Sequence, residues 1–303
     1  MTRLIEAEMT LADVQPATDR ASETRAEIGQ IDVGIVTKGK PTLGMALTSL
    51  LLQEDVQLRI HVVDTAARPV INRDDVRLAL RLAGDRGVHC SYEFSGESDR
   101  AFSAGKARLV RVLNGRHLCL MDDDVVVPSK ALRQLVDTAC QHDVYGYVSP
   151  FCKNSPHLDG ALGSRPQYAP GSLLFQDGIV RRILTEYYDT TVDVLDRRKS
   201  EQKVCETAFL TALFDVLDRP VIRQPDLVTY HLDYHDDAYW IDEERVVIAR
   251  SAAIARGLAS KVRAEGPGLL DEARVRNPAA PGPPWPRRSW ARRARQVLSW
   301  VRR

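Results

Sequence analysis

The chain has 303 residues, 44% hydrophobic and 27% charged, an ordinary globular composition sufficient for one large or two modest domains. Its net charge of +1 is unevenly spread: residues 287–303 hold seven arginines and no acid, leaving 35 basic and 41 acidic side chains on residues 1–286, a net of −6. That body has no basic excess suited to nucleic acid, and no apolar run approaches the roughly 18 residues of a membrane span.

Residues 1–30 show weak periodicity and no signal-peptide core, and read as a tail. From residue 31 strand and helix patterns alternate. Ile31, Val33, Ile35 and Val36 mark a first predicted strand, and Thr37 to Pro41 a turn. Thr42 is placed to cap a helix with Leu43, Ala46, Leu47, Leu50 and Leu51 on its apolar face. Further strands are predicted at 58–63, ending at Asp64, and at 88–94. Helices are predicted at 74–82 and around Phe102, Leu109, Val110 and Leu113. This alternation implies a parallel sheet flanked by helices, a Rossmann-type mononucleotide-binding half. No GxGxxG follows the first strand, so the dinucleotide fingerprint is absent.

The chemistry concentrates at Asp122, Asp123 and Asp124. They follow Leu118, Cys119, Leu120 and Met121, a run that reads as a strand buried on both faces. Alternation along an extended chain would lean Asp122 and Asp124 to one side and Asp123 to the other. Three adjacent anions are tolerable where water or a divalent cation takes up their charge. Pro128 and Ser129 then open a helix, with Ser129 as N-cap and Ala131, Leu132, Leu135, Val136 and Ala139 on its apolar face. The carboxylates thus fall at the C-terminal edge of a parallel sheet, where open α/β folds bind ligands.

The second half is less regular. A short strand is predicted at 144–148, then a long loop rich in Pro, Gly, Ser and Asn at 149–170. A strand follows at 172–175, a helix at 201–217, a strand-like run at 227–231 and a helix at 242–259. Residues 276–288 hold five prolines and read as a linker. His231 ends the strand-like run and His235 follows it; one imidazole with carboxylate oxygens suits Mn²⁺ or Mg²⁺. The five cysteines, Cys90, Cys119, Cys140, Cys152 and Cys205, lack CxxC spacing and read as reduced core thiols rather than a disulfide or zinc framework.

The order of these motifs resembles the family 2 glycosyltransferases of GT-A fold, over about residues 31–240. The matching features are Thr37 in the first turn, Asp64 at the second strand end, Ala107 and Arg108 on a helix, and the DXD-like Asp122 to Asp124 with Pro128 soon after. Downstream they are Gly171 and Ser172, then Glu206 opening a helix, then His231. The resemblance implies an α/β chain with a Rossmann-like, mostly parallel nucleotide-binding half and an acceptor-binding half. It implies a catalytic domain at 31–260; composition and periodicity set a tail at 1–30, a Pro-rich linker at 261–286 and a basic amphipathic helix at 287–303 around it.

The same resemblance implies roles. Thr37, Asp64, Lys106, Arg108, Asp122 and Asp123 would hold a UDP- or GDP-sugar. Of these, Asp64 would meet the base ring, Asp122 the ribose, and Lys106 or Arg108 the diphosphate. Asp124 and His231 would hold Mn²⁺ or Mg²⁺. Glu206, in a first helical turn that favours an anion, would deprotonate the acceptor hydroxyl for an inverting displacement, with Asp177, Glu201 and Asp233 next in line. The implied acceptor is a glycan, a lipid-linked molecule or a small molecule. The sequence departs from the family after Asp64, where Thr65, Ala66, Ala67 and Arg68 stand, and at Glu206-Thr207, where an acidic pair is usual.

Other chemistries share parts of this pattern. A haloacid dehalogenase-type phosphatase also has four apolar residues before Asp-x-Asp, with Asp122 as nucleophile and Asp124 as acid/base, but its motif normally opens the fold. A nucleotide-sugar pyrophosphorylase would carry a Gly-rich phosphate loop after the first strand, which is absent. A GT-A module that binds a nucleotide or partner without turnover is the non-enzyme reading. Beyond the linker, Trp290, Ala294, Val297, Leu298 and Val301 share one helical face, with arginines mostly elsewhere. Such a helix suits either an anionic membrane surface or the acidic body. The expected location is the bacterial cytoplasm, peripheral on the inner membrane face.

Overall fold

A computed structural model describes residues 30–96, 99–115, 117–141, 147–154, 167–168, 172–175, 178–193, 196, 203–204, 206–217, 221–232 and 244–265. The tail at 1–29, most of the 149–170 loop, Asp177, Glu201, Asp233, His235, and the linker and basic helix beyond 265 lie outside the described residues.

The first half follows the predicted alternation. Strands β1 (Gln30–Thr37), β2 (Gln57–Asp64), β3 (His89–Phe94) and β4 (His117–Asp122) are joined through helices α1 (Leu43–Leu51), α2 (Asp74–Asp85) and α3 (Ala101–Val112). The four strands are parallel in the order β3-β2-β1-β4. Thr37 and Asp64 are register partners, as are Val36 and Asp122, so their C-terminal ends share one edge. A turn follows β4, then β5 (Val125–Val126) and α4 (Ala131–Gln141).

The second half extends the sheet with mixed pairing. β6 (Tyr147–Asn154), β7 (Gln167–Tyr168) and β8 (Ser172–Phe175) precede α5 (Gly178–Thr190). A small parallel pair, β9 (Val192–Asp193) and β10 (Lys203–Val204), leads into α6 (Glu206–Val216), β11 (Val221–His231) and α7 (Glu244–Glu265). β8 joins the halves, antiparallel to both β4 and β6; β11 then pairs parallel with β6 and antiparallel with β5.

Three expectations need correction. β6 runs on to Asn154 through part of the predicted loop, and Pro150 is tolerated because it lies opposite Gln224, at an irregularity in the β6–β11 ladder. The last helix, predicted to end at 259, continues to Glu265. Helix α5 was not expected, although Val180, Ile183, Leu184, Tyr187 and Tyr188 are all buried at helical spacing.

Apolar side chains pack on both faces of the sheet. Ile31, Val33, Ile35, Ile60, Val62, Cys119 and Met121 face α1, α2 and α4. Val36, Val63, Leu118 and Leu120 face α3, α5, α6 and α7. Among the described residues Cys90, Cys119 and Cys140 form no disulfide; Cys140 is exposed rather than part of the core. No helix among the described residues is long and apolar enough to cross a membrane.

Candidate active site

The acidic motif does not continue the strand. β4 ends at Asp122, and Asp123 and Asp124 form the turn to β5. The expected alternation therefore stops at Asp122, and the three carboxylates meet three different partners. Asp122 shares the sheet face of Leu118 and Leu120 and lies 3.6 Å from the Lys106 Nζ. Asp123 accepts a 2.5 Å hydrogen bond from the Thr37 hydroxyl. Asp124, only 1% exposed at its side chain, is ion-paired at 2.5 Å with Lys40. Burial pushes the Asp123 carboxyl up to about 6, against the Thr37 hydrogen bond, with the neighbouring Asp124 charge adding to the rise.

Thr37 is a junction. Besides donating to Asp123, its hydroxyl accepts from the Gly39 amide at 3.1 Å, and its carbonyl accepts from the Thr65 amide at 2.8 Å. The turn beyond it needs Gly39, whose φ of +94° lies in the left-handed region. Thr37 is fully buried, so it positions the motif from beneath.

Asp64, expected to accept from a base ring, already has partners within the protein. It is completely buried, and its carboxylate accepts from the Ala66 amide at 2.9 Å and the Val70 amide at 2.8 Å, and from the Tyr92 hydroxyl. In this structure Asp64 shapes the loop after β2. Burial and this hydrogen bond push the Tyr92 phenol far up, so it remains a donor.

Lys106 is the centre of the site. It is 2% exposed, its Nζ lies 3.6 Å from both Asp122 and Glu206, and it sits 5.0 Å from the Phe102 ring centroid. Burial alone would lower its pKa, but Glu206, Asp122 and Asp193 outweigh burial and hold it above the ordinary lysine value. The ammonium is therefore charged, and the Phe102 ring adds a cation–π contact. Arg108 is not part of this cluster. It is half exposed and pairs with Glu93 on β3, because residues two apart on a helix point to different sides.

Glu206 opens α6 as the resemblance implied; the helix does not begin at 201, because Lys203 and Val204 pair with β9. The Glu206 backbone amide donates to Asp193 at 3.2 Å, and its carboxylate accepts from the Tyr188 hydroxyl. Burial, and then the Glu206 charge and hydrogen bond, push the Tyr188 phenol well above its ordinary value, so it too stays a donor. Asp196 anchors the start of α3, accepting from the Phe102 amide at 2.7 Å and the Ser103 hydroxyl at 2.6 Å. Sequence reasoning missed Lys40, Tyr188, Asp193 and Asp196. Lys40 could have been found, since the turn after β1 ends at the same sheet edge as the acidic motif.

β11 brings His231 opposite Val125, and the Leu232 amide donates to the Asp124 carbonyl at 2.8 Å. The backbone thus places His231 beside the motif; its side chain lies outside the described residues. Among the described residues no three His, Cys, Asp or Glu side chains converge as a metal cage. A hard divalent ion does not require such a cage. A buried carboxylate already accommodates the Lys40 ammonium, and ions such as Mg²⁺ use one or two carboxylates and take their remaining ligands from phosphate and water.

No protein-family model matches the sequence, and no curated protein does. Solved structures do match. The mannosyltransferase PcManGT from Pyrobaculum calidifontis, in complex with GDP-Man and Mn²⁺, is 17% identical, with a TM-score of 0.51 covering 82% of this chain and 80% of that one. S. aureus TarS 1–349 in complex with UDP-GlcNAc is 11% identical, with a TM-score of 0.51 covering 80% of this chain and 73% of that one. Likeness at such identities speaks to architecture. The chain has a GT-A-type glycosyltransferase fold, mixed α/β with a parallel four-strand unit.

Proposed function

We propose that the chain is a glycosyltransferase that moves a sugar from a nucleoside diphosphate sugar to an acceptor hydroxyl, with a divalent metal and with inversion. One observation carries this reading: Lys106 bridges Asp122 at the sheet edge and Glu206 at a helix start. This supports a reading in which Asp122 serves the donor and Glu206, beside it, accepts the proton. Two proteins of similar fold were solved with GDP-Man and Mn²⁺ and with UDP-GlcNAc, which favours a UDP- or GDP-sugar here.

In this reading Asp122 and Thr37, through Asp123, position the nucleotide. Asp124, with His231, holds the metal, which when bound neutralises the diphosphate leaving group. Lys106 adds a fixed positive charge. Glu206 takes the proton from the acceptor hydroxyl as its oxygen bonds to the anomeric carbon. The bond from that carbon to the phosphate oxygen breaks, and the nucleoside diphosphate departs with the bonding electrons. The acceptor is a glycan, a lipid-linked molecule or a small molecule.

A thermal-shift panel of UDP, GDP, CDP and dTDP, with and without Mn²⁺, tests the donor half of the reading. One nucleotide at 100 times its Kd should add about 2.7 kcal/mol of stability. Asp124→Ala should abolish the Mn²⁺-dependent part of that gain, because the ion loses its main anionic ligand. Unchanged Mn²⁺ dependence in Asp124→Ala would remove the site assignment.

A further inference from the structure

Lys40 stands where the proposed metal must bind. Its backbone is fixed: Gly39 turns the chain at φ +94°, and Arg73 donates to the Lys40 carbonyl at 2.5 Å and the Pro41 carbonyl at 2.7 Å. Asp124 is fixed from the other side, by the Leu232 amide on its carbonyl. Between these anchored backbones the Lys40 ammonium reaches the Asp124 carboxylate at 2.5 Å, with Lys40 24% exposed and Asp124 1% exposed.

An ammonium and a divalent cation cannot share one buried carboxylate without strong repulsion, since low local polarity leaves their charges poorly screened. The partly exposed lysine is the mobile partner. A diphosphate arriving at this edge would offer Lys40 a second anion and release Asp124. We propose that Lys40 is an internal counter-ion that withholds Asp124 from the metal until a nucleoside diphosphate arrives, so that metal and nucleotide bind as a linked pair. The inference rests on the metal-site reading above. By linkage the effect is reciprocal: whatever the nucleotide does for metal affinity, the metal does for nucleotide affinity.

The test is Mn²⁺ binding to the full-length protein, read as free Mn²⁺ by electron paramagnetic resonance, alone and with saturating UDP or GDP. Wild type should bind Mn²⁺ alone weakly and gain affinity with the nucleotide. Lys40→Met should bind Mn²⁺ alone at least about tenfold more tightly, a change of about 1.4 kcal/mol, and gain less from the nucleotide. Lys40→Gln guards against poor folding of the first variant and should behave alike, and Lys40→Arg, which keeps the charge, should stay near wild type. Adding Asp124→Asn to Lys40→Met should erase the gain. Lys38→Met removes a nearby charge that lies over Phe102 and should give a smaller change. If wild type takes up Mn²⁺ with nucleotide but Lys40→Met and Lys40→Gln bind Mn²⁺ alone no better, the counter-ion role falls and the metal site stands. If neither wild type nor variants bind Mn²⁺ with any nucleotide, both fall.

Discussion

Lys106 is stable in its position because carboxylates on two separate elements meet it. Removing a shared buried partner strands what remains, whereas neutralising one of two partners strands less. Lys106→Met leaves Asp122 and Glu206 without their common cation and should cost about 3 kcal/mol in urea unfolding. Glu206→Gln leaves Lys106 opposite Asp122 and keeps an acceptor for Tyr188, so it should cost clearly less. If the two variants unfold at the same urea concentration, Lys106 is not the organising charge. Under the proposed function Glu206→Gln should keep donor affinity and lose transfer by about 10²–10⁴-fold. Wild-type turnover in that variant would move the base elsewhere. Glu206 was singled out in the sequence by the family resemblance, as an acid opening a helix, and it does stand at the start of α6. Tyr188 was not, because its helix α5 was itself not expected and only tertiary structure supplies the carboxylate that faces it.

Helix α3 carries Lys106 to the sheet only because Gly105 lets it come close. A Cβ at Gly105 would lie 2.7 and 2.8 Å from the two methyl carbons of Val36, nearer than side chains pack. Gly105→Ala should therefore push α3 off β1, destabilise by about 1–3 kcal/mol, and move Lys106 away from Asp122. Gly257 in α7 makes the control, being exposed with nothing within 4 Å of an added Cβ. Gly257→Ala should stabilise by about 0.5–1 kcal/mol through helix propensity alone. Equal effects of the two substitutions on the urea midpoint would show that α3 has room to spare. At this scale the first half was readable because each strand and each helix carries its own apolar pattern, although β4 pairs back with β1 and not with β3 before it. The second half was obscured: β6 runs through Pro150, and β11 pairs with β5 and β6 from far along the chain, which no local pattern records.

Across the whole molecule charge is segregated, with a net of −6 on residues 1–286 and seven arginines on residues 287–303. The sequence pattern of that last segment, apolar on one helical face and basic elsewhere, lies outside the described residues and remains a proposal about where the protein works. Trp290 and Trp300 suit a lipid headgroup region, and each arginine near an anionic surface contributes about 1 kcal/mol. Electrostatic attachment weakens with salt, whereas docking on the catalytic unit would contribute to its stability. Liposome flotation separates these. Full-length protein should float with anionic vesicles at low salt and less at high salt, and truncation after Asn277 should release it while leaving the urea midpoint unchanged. If the full-length protein ignores anionic vesicles and the truncation lowers the midpoint, the segment is a clasp on the acidic body, attracted by the same charge difference.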